Sequence, residues 1–192
     1  MPNTRKVSKA FSCLNDADNL KLLSSPFHEE RLLALLLFIS KYNNGSESIK
    51  KKIYNLYLAN TRYINNWDLV DLSAYHIVGG YLAGKSKKPL YALAKSRSLW
   101  ERRIAILATF YFIRNNQFND SLKIAKLLIN DKEDLIHKAV GWMLREVGKR
   151  DMVPEEEFLR KHSHNMPRTM LRYAIERFPL PKRKMYLGGI KP

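Results

Sequence analysis

One acidic residue interrupts an otherwise apolar row on a predicted helix. From Trp67 onward, the positions at helical spacing read Trp67, Asp71, Ala74, Val78 and Leu82. A carboxylate in such a row is costly unless a cation pairs with it or it faces a cleft, where it can stabilise positive charge or act as a general base. Arg103, on the row Trp100–Arg103–Leu107–Tyr111, is the expected partner. Two interpretations stay open: a structural ion pair, or a groove where Asp71, Arg103 and tryptophans converge.

A second row mixes a tryptophan with basic residues. Within the predicted helix 134–149, the core positions are Ile136, Ala139 or Val140, Met143 and Val147. Beside them run Lys138, Trp142, Arg145 and Lys149, at spacings of 4, 3 and 4 residues. Large aromatic side chains usually point inward, so Trp142 is either covered by a neighbouring repeat or contacts a sugar or base between phosphate-binding cations.

Other patterns do not support a metal or nucleotide site. The segment from His28 to Leu32 begins like a zinc-protease motif, but Leu32 stands where the second histidine is required. Cys13 is the single cysteine, which excludes an internal disulfide and a cysteine-rich metal site. Gly79 and Gly80 lie inside a predicted helix, where close helix packing explains them better than a phosphate-binding loop. We therefore expect no metal and no cofactor.

The elements that must position these residues are helices with short breaks. Eight glycines and eight prolines in 192 residues are few, and no run alternates as a strand would. Asn66 is the expected N-cap of the helix that carries Trp67 and Asp71. The predicted helices span 20–24, 26–42, 46–63, 67–83, 89–95, 98–115, 120–129, 134–149, 154–161 and 167–178. The sequence therefore predicts an all-α fold.

The tryptophans indicate how the helices are arranged. Trp67, Trp100 and Trp142 lie 33 and 42 residues apart, and each precedes a charged residue by three or four positions. Helix pairs repeating every 35 to 45 residues or so are typical of HEAT-like and armadillo-like solenoids. We predict an α-solenoid of antiparallel helix pairs in a right-handed stack with a concave basic groove. We assign residues 1–19 to a poorly structured segment, 20–178 to the helical-repeat domain and 179–192 to an extended basic tail.

The net charge indicates the class of partner. Lys and Arg number 34 against 18 Asp and Glu, a formal net charge of +16. A domain this basic favours a polyanion, usually nucleic acid, with anionic membrane as the competitor. The longest strictly apolar run, Leu32–Ile39, is far shorter than the roughly 18 residues of a membrane span. The N-terminus lacks the apolar core of a signal peptide, so we expect a cytoplasmic protein that is nucleoid-associated when bound to DNA.

Four motifs together resemble the DNA alkylation repair (AlkD-like) family. They are NWDLVD at 66–71, LWERRIA at 99–105, HKAVGWMLRE at 137–146 and MPRTMLRYAIE at 166–176. The resemblance covers about residues 26–187. It implies a HEAT-like helical-repeat DNA glycosylase that excises N3- and N7-alkylated purines from duplex DNA without a cofactor. Members usually carry several more helices before the region that begins at Phe27, so we expect a short member with a reduced DNA-contacting surface.

The resemblance also implies roles for individual residues. Asp71 would be the catalytic carboxylate, Trp67 and Trp142 would contact the deoxyribose of the lesion, and Arg103 would support the site and grip the DNA backbone. A nearby cation such as Arg103 should keep the pKa of Asp71 low. From the charge pattern we expect phosphate contacts by Lys138, Arg145, Lys149, Arg168 and Arg172. We expect a monomer.

Two other classes of function compete with this interpretation. A non-catalytic helical-repeat module could use the same basic surface to bind nucleic acid or an acidic protein. The spacing of Trp67 and Asp71 argues against a loss of activity. A membrane-surface protein is disfavoured, because the basic residues are spread over many helices and not gathered on one amphipathic helix.

Overall fold

The protein is all-helical in a computed structural model that describes residues 2–11 and 13–188, with side chains from residue 4. These residues contain no β-strand, which confirms the predicted fold class. The α-helices are α1 (Pro2–Ala10), α2 (Asp16–Leu23), α3 (His28–Asn44), α4 (Glu47–Ala59), α5 (Trp67–Ala74), α6 (Gly80–Leu82), α7 (Lys88–Ala94), α8 (Leu99–Ala108), α9 (Phe110–Arg114), α10 (Asn119–Leu127), α11 (Asp134–Gly148), α12 (Met152–His162), α13 (Arg168–Ala174) and α14 (Leu180–Leu187). A π-helical turn, Tyr75–Gly79, joins α5 to α6.

The helices form two layers, as an α-solenoid requires. In the first layer, α3, α5, α8, α11 and α13 pack each against the next. In the second layer, α4, α7, α10 and α12 pack behind them. Short links join consecutive helices, so each pair folds back on itself and buries its apolar stripe between the layers. The first layer holds the residues of the predicted site.

Two glycines set the spacing between helices of the first layer. A Cβ atom on Gly79 would lie 2.3 Å from the carbonyl oxygen of Ala108, and one on Gly141 would lie 2.4 Å from that of Met170. In both cases the contacted residue follows the glycine by 29 positions. The close packing expected of Gly79 is confirmed. The same kind of contact recurs at Gly141, between α11 and α13.

The π-helical turn changes the direction of the row that carries Asp71. The sequence predicted one continuous helix over 67–83, but α5 ends at Ala74 and the wider turn follows. Because a π-helical turn holds an additional residue, it rotates the positions that follow it. Trp67 is 54% exposed, whereas Val78 and Leu82 are buried. The row therefore runs from an open surface into the core.

Both ends of the chain are more ordered than the sequence suggested. The assignment of 1–19 as poorly structured is wrong for residues 2–10 and 16–19, which are helical, while residues 1 and 12 lie outside the described residues. The polar side chains there cap and pair the helices: Asn15 caps α2. Asp16 accepts hydrogen bonds from Lys41 and Lys52, each at 2.6 Å.

Within the predicted basic tail, residues 180–187 are likewise helical, not extended. Pro181 lies in the first turn of α14, where a missing N–H costs nothing, so it favours the helix. Tyr186 is buried, and its ring centroid lies 5.8 Å from that of Phe178. Residues 189–192 of the predicted tail lie outside the described residues.

Candidate active site

A cavity of about 410 Å³ lies on the first layer, between α5, α8, α11 and α13. Its walls are Trp67, Asp71, Arg103, Leu135, Lys138, Trp142, Arg145 and Tyr173. The predicted convergence of Trp67, Asp71, Arg103 and Trp142 in one concavity is confirmed. Three helices separated by long stretches of sequence contribute these four residues.

A bidentate ion pair between Arg103 and Asp71 forms part of the cavity wall. Arg103 donates from Nε to Oδ1 of Asp71 and from Nη2 to Oδ2, both at 2.8 Å. A third hydrogen bond runs from its Nη1 to the carbonyl oxygen of Leu135 on α11. The Arg103 side chain is 5% exposed and that of Asp71 is 17% exposed. Arg103 is thus buried and holds Asp71 in position. Part of the Asp71 carboxylate remains exposed to the cavity.

Burial changes the acidity of Asp71 in the direction opposite to the prediction. Removal from water raises the pKa of its carboxyl above the usual value, and this effect outweighs the hydrogen bonds and the charge of Arg103, which lower it. The expectation of a lowered pKa is therefore wrong. The two interpretations of Asp71 are also compatible, because the ion pair exists and forms part of a cavity wall.

Two tryptophans line the cavity together with the carboxylate, in different environments. Trp67 is the first residue of α5, which begins where the Asn66 side chain accepts a hydrogen bond from the Trp67 N–H at 2.7 Å. Its ring is largely exposed. Trp142 is half-buried, with the ring of Phe110 behind it at 6.2 Å between centroids. Trp100 packs against the core and does not line the cavity.

An acidic residue fixes the orientation of Trp142. Its indole N–H donates to Oε1 of Glu146, one turn later on α11, at 3.1 Å. The same oxygen accepts from Nζ of Lys149 at 2.6 Å. Sequence reasoning missed Glu146, although its spacing of four residues from Trp142 was a usable signal.

The predicted phosphate-binding residues differ in how far they are free to bind. Lys138 pairs with Asp134 at 2.7 Å, and Arg145 pairs with Glu176 of the neighbouring turn after α13. Lys149 is engaged by Glu146 as described above. These carboxylates reduce the positive charge that the basic row showed in the sequence. Lys138 and Arg145 line the cavity, whereas Lys149 does not.

The remaining two predicted cations lie on α13, outside the cavity lining. Arg168 donates to the carbonyl oxygen of Leu187 at 2.7 Å, which ties α13 to α14. Arg172 is exposed and forms no ion pair with a described residue. Tyr173, next to it, lines the cavity and was not anticipated, because no row in the sequence linked α13 to Asp71.

The described part of the chain contains neither a candidate metal site nor a candidate membrane span. Among residues 2–11 and 13–188, no three His, Cys, Asp or Glu side chains are grouped so that they could hold a metal ion. No helix in the same residues is long and apolar enough to cross a membrane.

Comparison with known proteins identifies the family. The DNA alkylation repair enzyme family matches residues 1–178, and so begins before the motifs that carried the resemblance. A solved structure described as a predicted DNA alkylation repair enzyme from Enterococcus faecalis has a TM-score of 0.69 to this chain at 16% identity, over 92% of this chain and 83% of that one. No curated protein matches the chain. With nearly the whole chain matched by one family, the protein belongs to the DNA alkylation repair enzyme family.

Proposed function

We propose that the protein is a DNA glycosylase that removes positively charged N3- and N7-alkylated purines from duplex DNA by hydrolysing the N-glycosidic bond. Membership of the DNA alkylation repair enzyme family supports a role in the repair of alkylated DNA. The single observation that carries the finer proposal is the cavity in which Trp67, Asp71 and Trp142 meet, with Arg103 holding the carboxylate.

The charge of the lesion explains why one carboxylate is enough. A purine alkylated at N3 or N7 is already cationic, so it leaves with the bonding electron pair as a neutral base and needs no general acid. The sugar that remains develops positive charge at C1′. The ionised carboxylate of Asp71 stabilises that charge electrostatically and orients a water molecule. As the water oxygen bonds to C1′, a water proton passes to Asp71.

The tryptophans supply further stabilisation to the same charge. Indole faces attract cations, and each such contact contributes roughly 0.5–2 kcal/mol, depending on how far the site is desolvated. Trp67 contributes a largely exposed ring to the cavity, and Trp142 contributes a ring held by Glu146. We assign both to the deoxyribose of the lesion. Because the Trp67 wall of the cavity is exposed, the cavity suits an approach to the sugar from outside the base stack of the DNA.

The arginines and lysines around the cavity hold the phosphates. Arg103 orients Asp71 and, being nearly buried, acts mainly through it. Arg172 offers an exposed guanidinium, and Arg168 a guanidinium held by Leu187. Lys138, Arg145 and Lys149 bind phosphate by exchanging carboxylate partners for it. That exchange lowers their net contribution to affinity.

Release of free base tests the proposal. We expect that incubation with duplex DNA methylated at purines will liberate 3-methyladenine and 7-methylguanine and leave abasic sites. Chromatography of the supernatant detects the bases. If the duplex is bound but no base is released over the spontaneous rate, the proposal is wrong and the protein is a non-catalytic DNA-binding module.

A further inference from the structure

A second groove lies on the other layer of the solenoid, between α10 and α12. It consists of two adjoining cavities of about 440 and 420 Å³, which share Asn119, Leu122 and Pro154. One end is lined by Lys123, Lys126, Glu157, Phe158, Lys161 and His162, and the other by Asn116, Gln117, Phe118 and Asp120. The groove therefore offers three ammonium groups and one carboxylate at one end, and amides and one carboxylate at the other.

The lysines of this groove are not engaged by ion pairs within the described residues. Lys123, Lys126 and Lys161 are exposed, and none forms an ion pair with a described residue. Two acidic residues also lie in the walls: Asp120 accepts a hydrogen bond from the Tyr91 hydroxyl at 2.6 Å, and Glu157 is exposed and forms no ion pair with a described residue. The candidate active site differs, because carboxylates pair with its basic row. The three lysines of the groove can therefore contact an anion without breaking an existing ion pair.

The groove and the candidate active site lie on different sides of α11. The positions of α11 that line the active-site cavity are Leu135, Lys138, Trp142 and Arg145. The buried positions 136, 140, 143 and 147 lie on a different face of the helix, towards the second layer. Since α10 and α12 belong to that layer, a ligand in the groove would not compete with DNA in the cavity.

We propose that the α10–α12 groove binds the phosphate backbone of a second DNA duplex. Lys123, Lys126 and Lys161 contact consecutive phosphates, and the amides of Asn116 and Gln117 hydrogen-bond to phosphate or sugar oxygens. Burial lowers the pKa of His162, and repulsion by Lys126, His164 and Lys161 lowers it further. Phosphates bound to Lys126 and Lys161 would offset the repulsion that these lysines exert on His162. This protein then holds two DNA segments at once, one on each layer, independently of whether the first is damaged.

The number of duplexes bound by one chain tests this proposal. In sedimentation at low salt with excess undamaged short duplex, we expect two duplexes per chain for the wild type and one for the triple variant K123E/K126E/K161E. Loss of three phosphate contacts should also reduce the slope of log affinity against log salt by about 3. Because undamaged DNA is used, the result does not depend on glycosylase activity.

A matched control separates the groove from general charge. The variant K9E/K51E/K95E carries the same change in net charge on exposed lysines outside the groove, and we expect it to keep two duplexes. If the groove variant unfolds, the milder K123Q/K126Q/K161Q should still bind one duplex fewer than the wild type. A groove variant that binds as many duplexes as the wild type, or a control that loses as many as the groove variant, overturns the proposal.

Discussion

Replacing Arg103 with methionine removes the guanidinium that holds the Asp71 carboxylate and keeps most of the volume of the side chain. Three hydrogen bonds are lost, two to the carboxylate and one to the carbonyl of Leu135. Removing one partner of a buried ion pair leaves an uncompensated charge, which costs about 3–5 kcal/mol of unfolding free energy. The carboxylate also loses its fixed position, and a displacement of about 1 Å reduces a well-oriented reaction roughly a hundredfold.

The variant should also change the pH dependence of excision. Excision needs the ionised Asp71, so the rate falls as the pH drops through the pKa of that group. Burial already raises this pKa, and Arg103 opposes the rise. Without the arginine the pKa rises further, and the acidic limb of the rate profile moves to higher pH. Single-turnover release of 7-methylguanine from pH 5 to pH 9 measures both effects.

Arg102 provides a matched control one residue away. It pairs with Asp131 through Nε at 2.6 Å and Nη2 at 3.2 Å, and it also donates to the carbonyls of Ser96 and Arg97. Its side chain is only 16% exposed, and it does not line the cavity. We expect R102M to lose stability and keep the excision rate. Equal loss of rate in both variants, or an unchanged rate in R103M, would refute the positioning role.

Three further predictions concern packing, burial and leaving-group charge. In Gly141→Ala the new Cβ would lie 2.4 Å from the Met170 oxygen and 2.5 Å from the Tyr173 Cβ, so urea unfolding should show a loss of about 1–3 kcal/mol; unchanged stability would contradict the tight contact. Burial raises the pKa of Glu155 to about 8, so the folded protein holds a proton that the unfolded chain releases, and stability should fall as pH rises from about 4.5 to 8. Glu155→Gln should therefore gain about 3–5 kcal/mol at pH 9 relative to pH 5 in thermal unfolding, and an equal effect at both pH values would exclude the buried proton. Duplex DNA containing uracil, a neutral base and poor leaving group, should release no free uracil above background, because the proposed chemistry supplies no general acid.

The part of the site that the sequence predicted consists mainly of residues that share a row on one helix. Trp67 with Asp71, and Lys138 with Trp142 and Arg145, are neighbours on single helices, so their spacing gave their common direction. The pairing of Asp71 with Arg103 followed from the cost of an unpaired carboxylate. These predictions depend either on local spacing or on the high free-energy cost of burying an unpaired carboxylate.

The features that were not predicted depend on contacts between distant segments. The carboxylate that pairs with Arg145 comes from Glu176, 31 residues later, and no row in the sequence indicates that contact. The tyrosine of the cavity wall, Tyr173, depends on the close approach of α13 to Gly141. The direction of the pKa shift of Asp71 depends on how deeply the carboxyl is buried, which spacing alone does not reveal.

The ends of the chain were misjudged for a related reason. Asn15 and Asp16 are polar residues that favour loops when read one at a time. In the folded chain Asn15 caps α2, and Asp16 pairs with Lys41 of α3 and Lys52 of α4. Polar composition therefore indicated disorder where the structure uses polar groups to fix helix ends.

The central claim is that Asp71 performs chemistry and is more than a member of an ion pair. The variant Asp71→Asn keeps the size of the side chain and removes its charge, so binding to undamaged duplex should stay equal or become tighter. Single-turnover release of 7-methylguanine at saturating protein is the decisive measurement. We predict a rate at least about a hundredfold lower than that of the wild type, a loss of about 2.7 kcal/mol of transition-state stabilisation. Equal rates for the two proteins would contradict the assignment of Asp71 as the catalytic carboxylate.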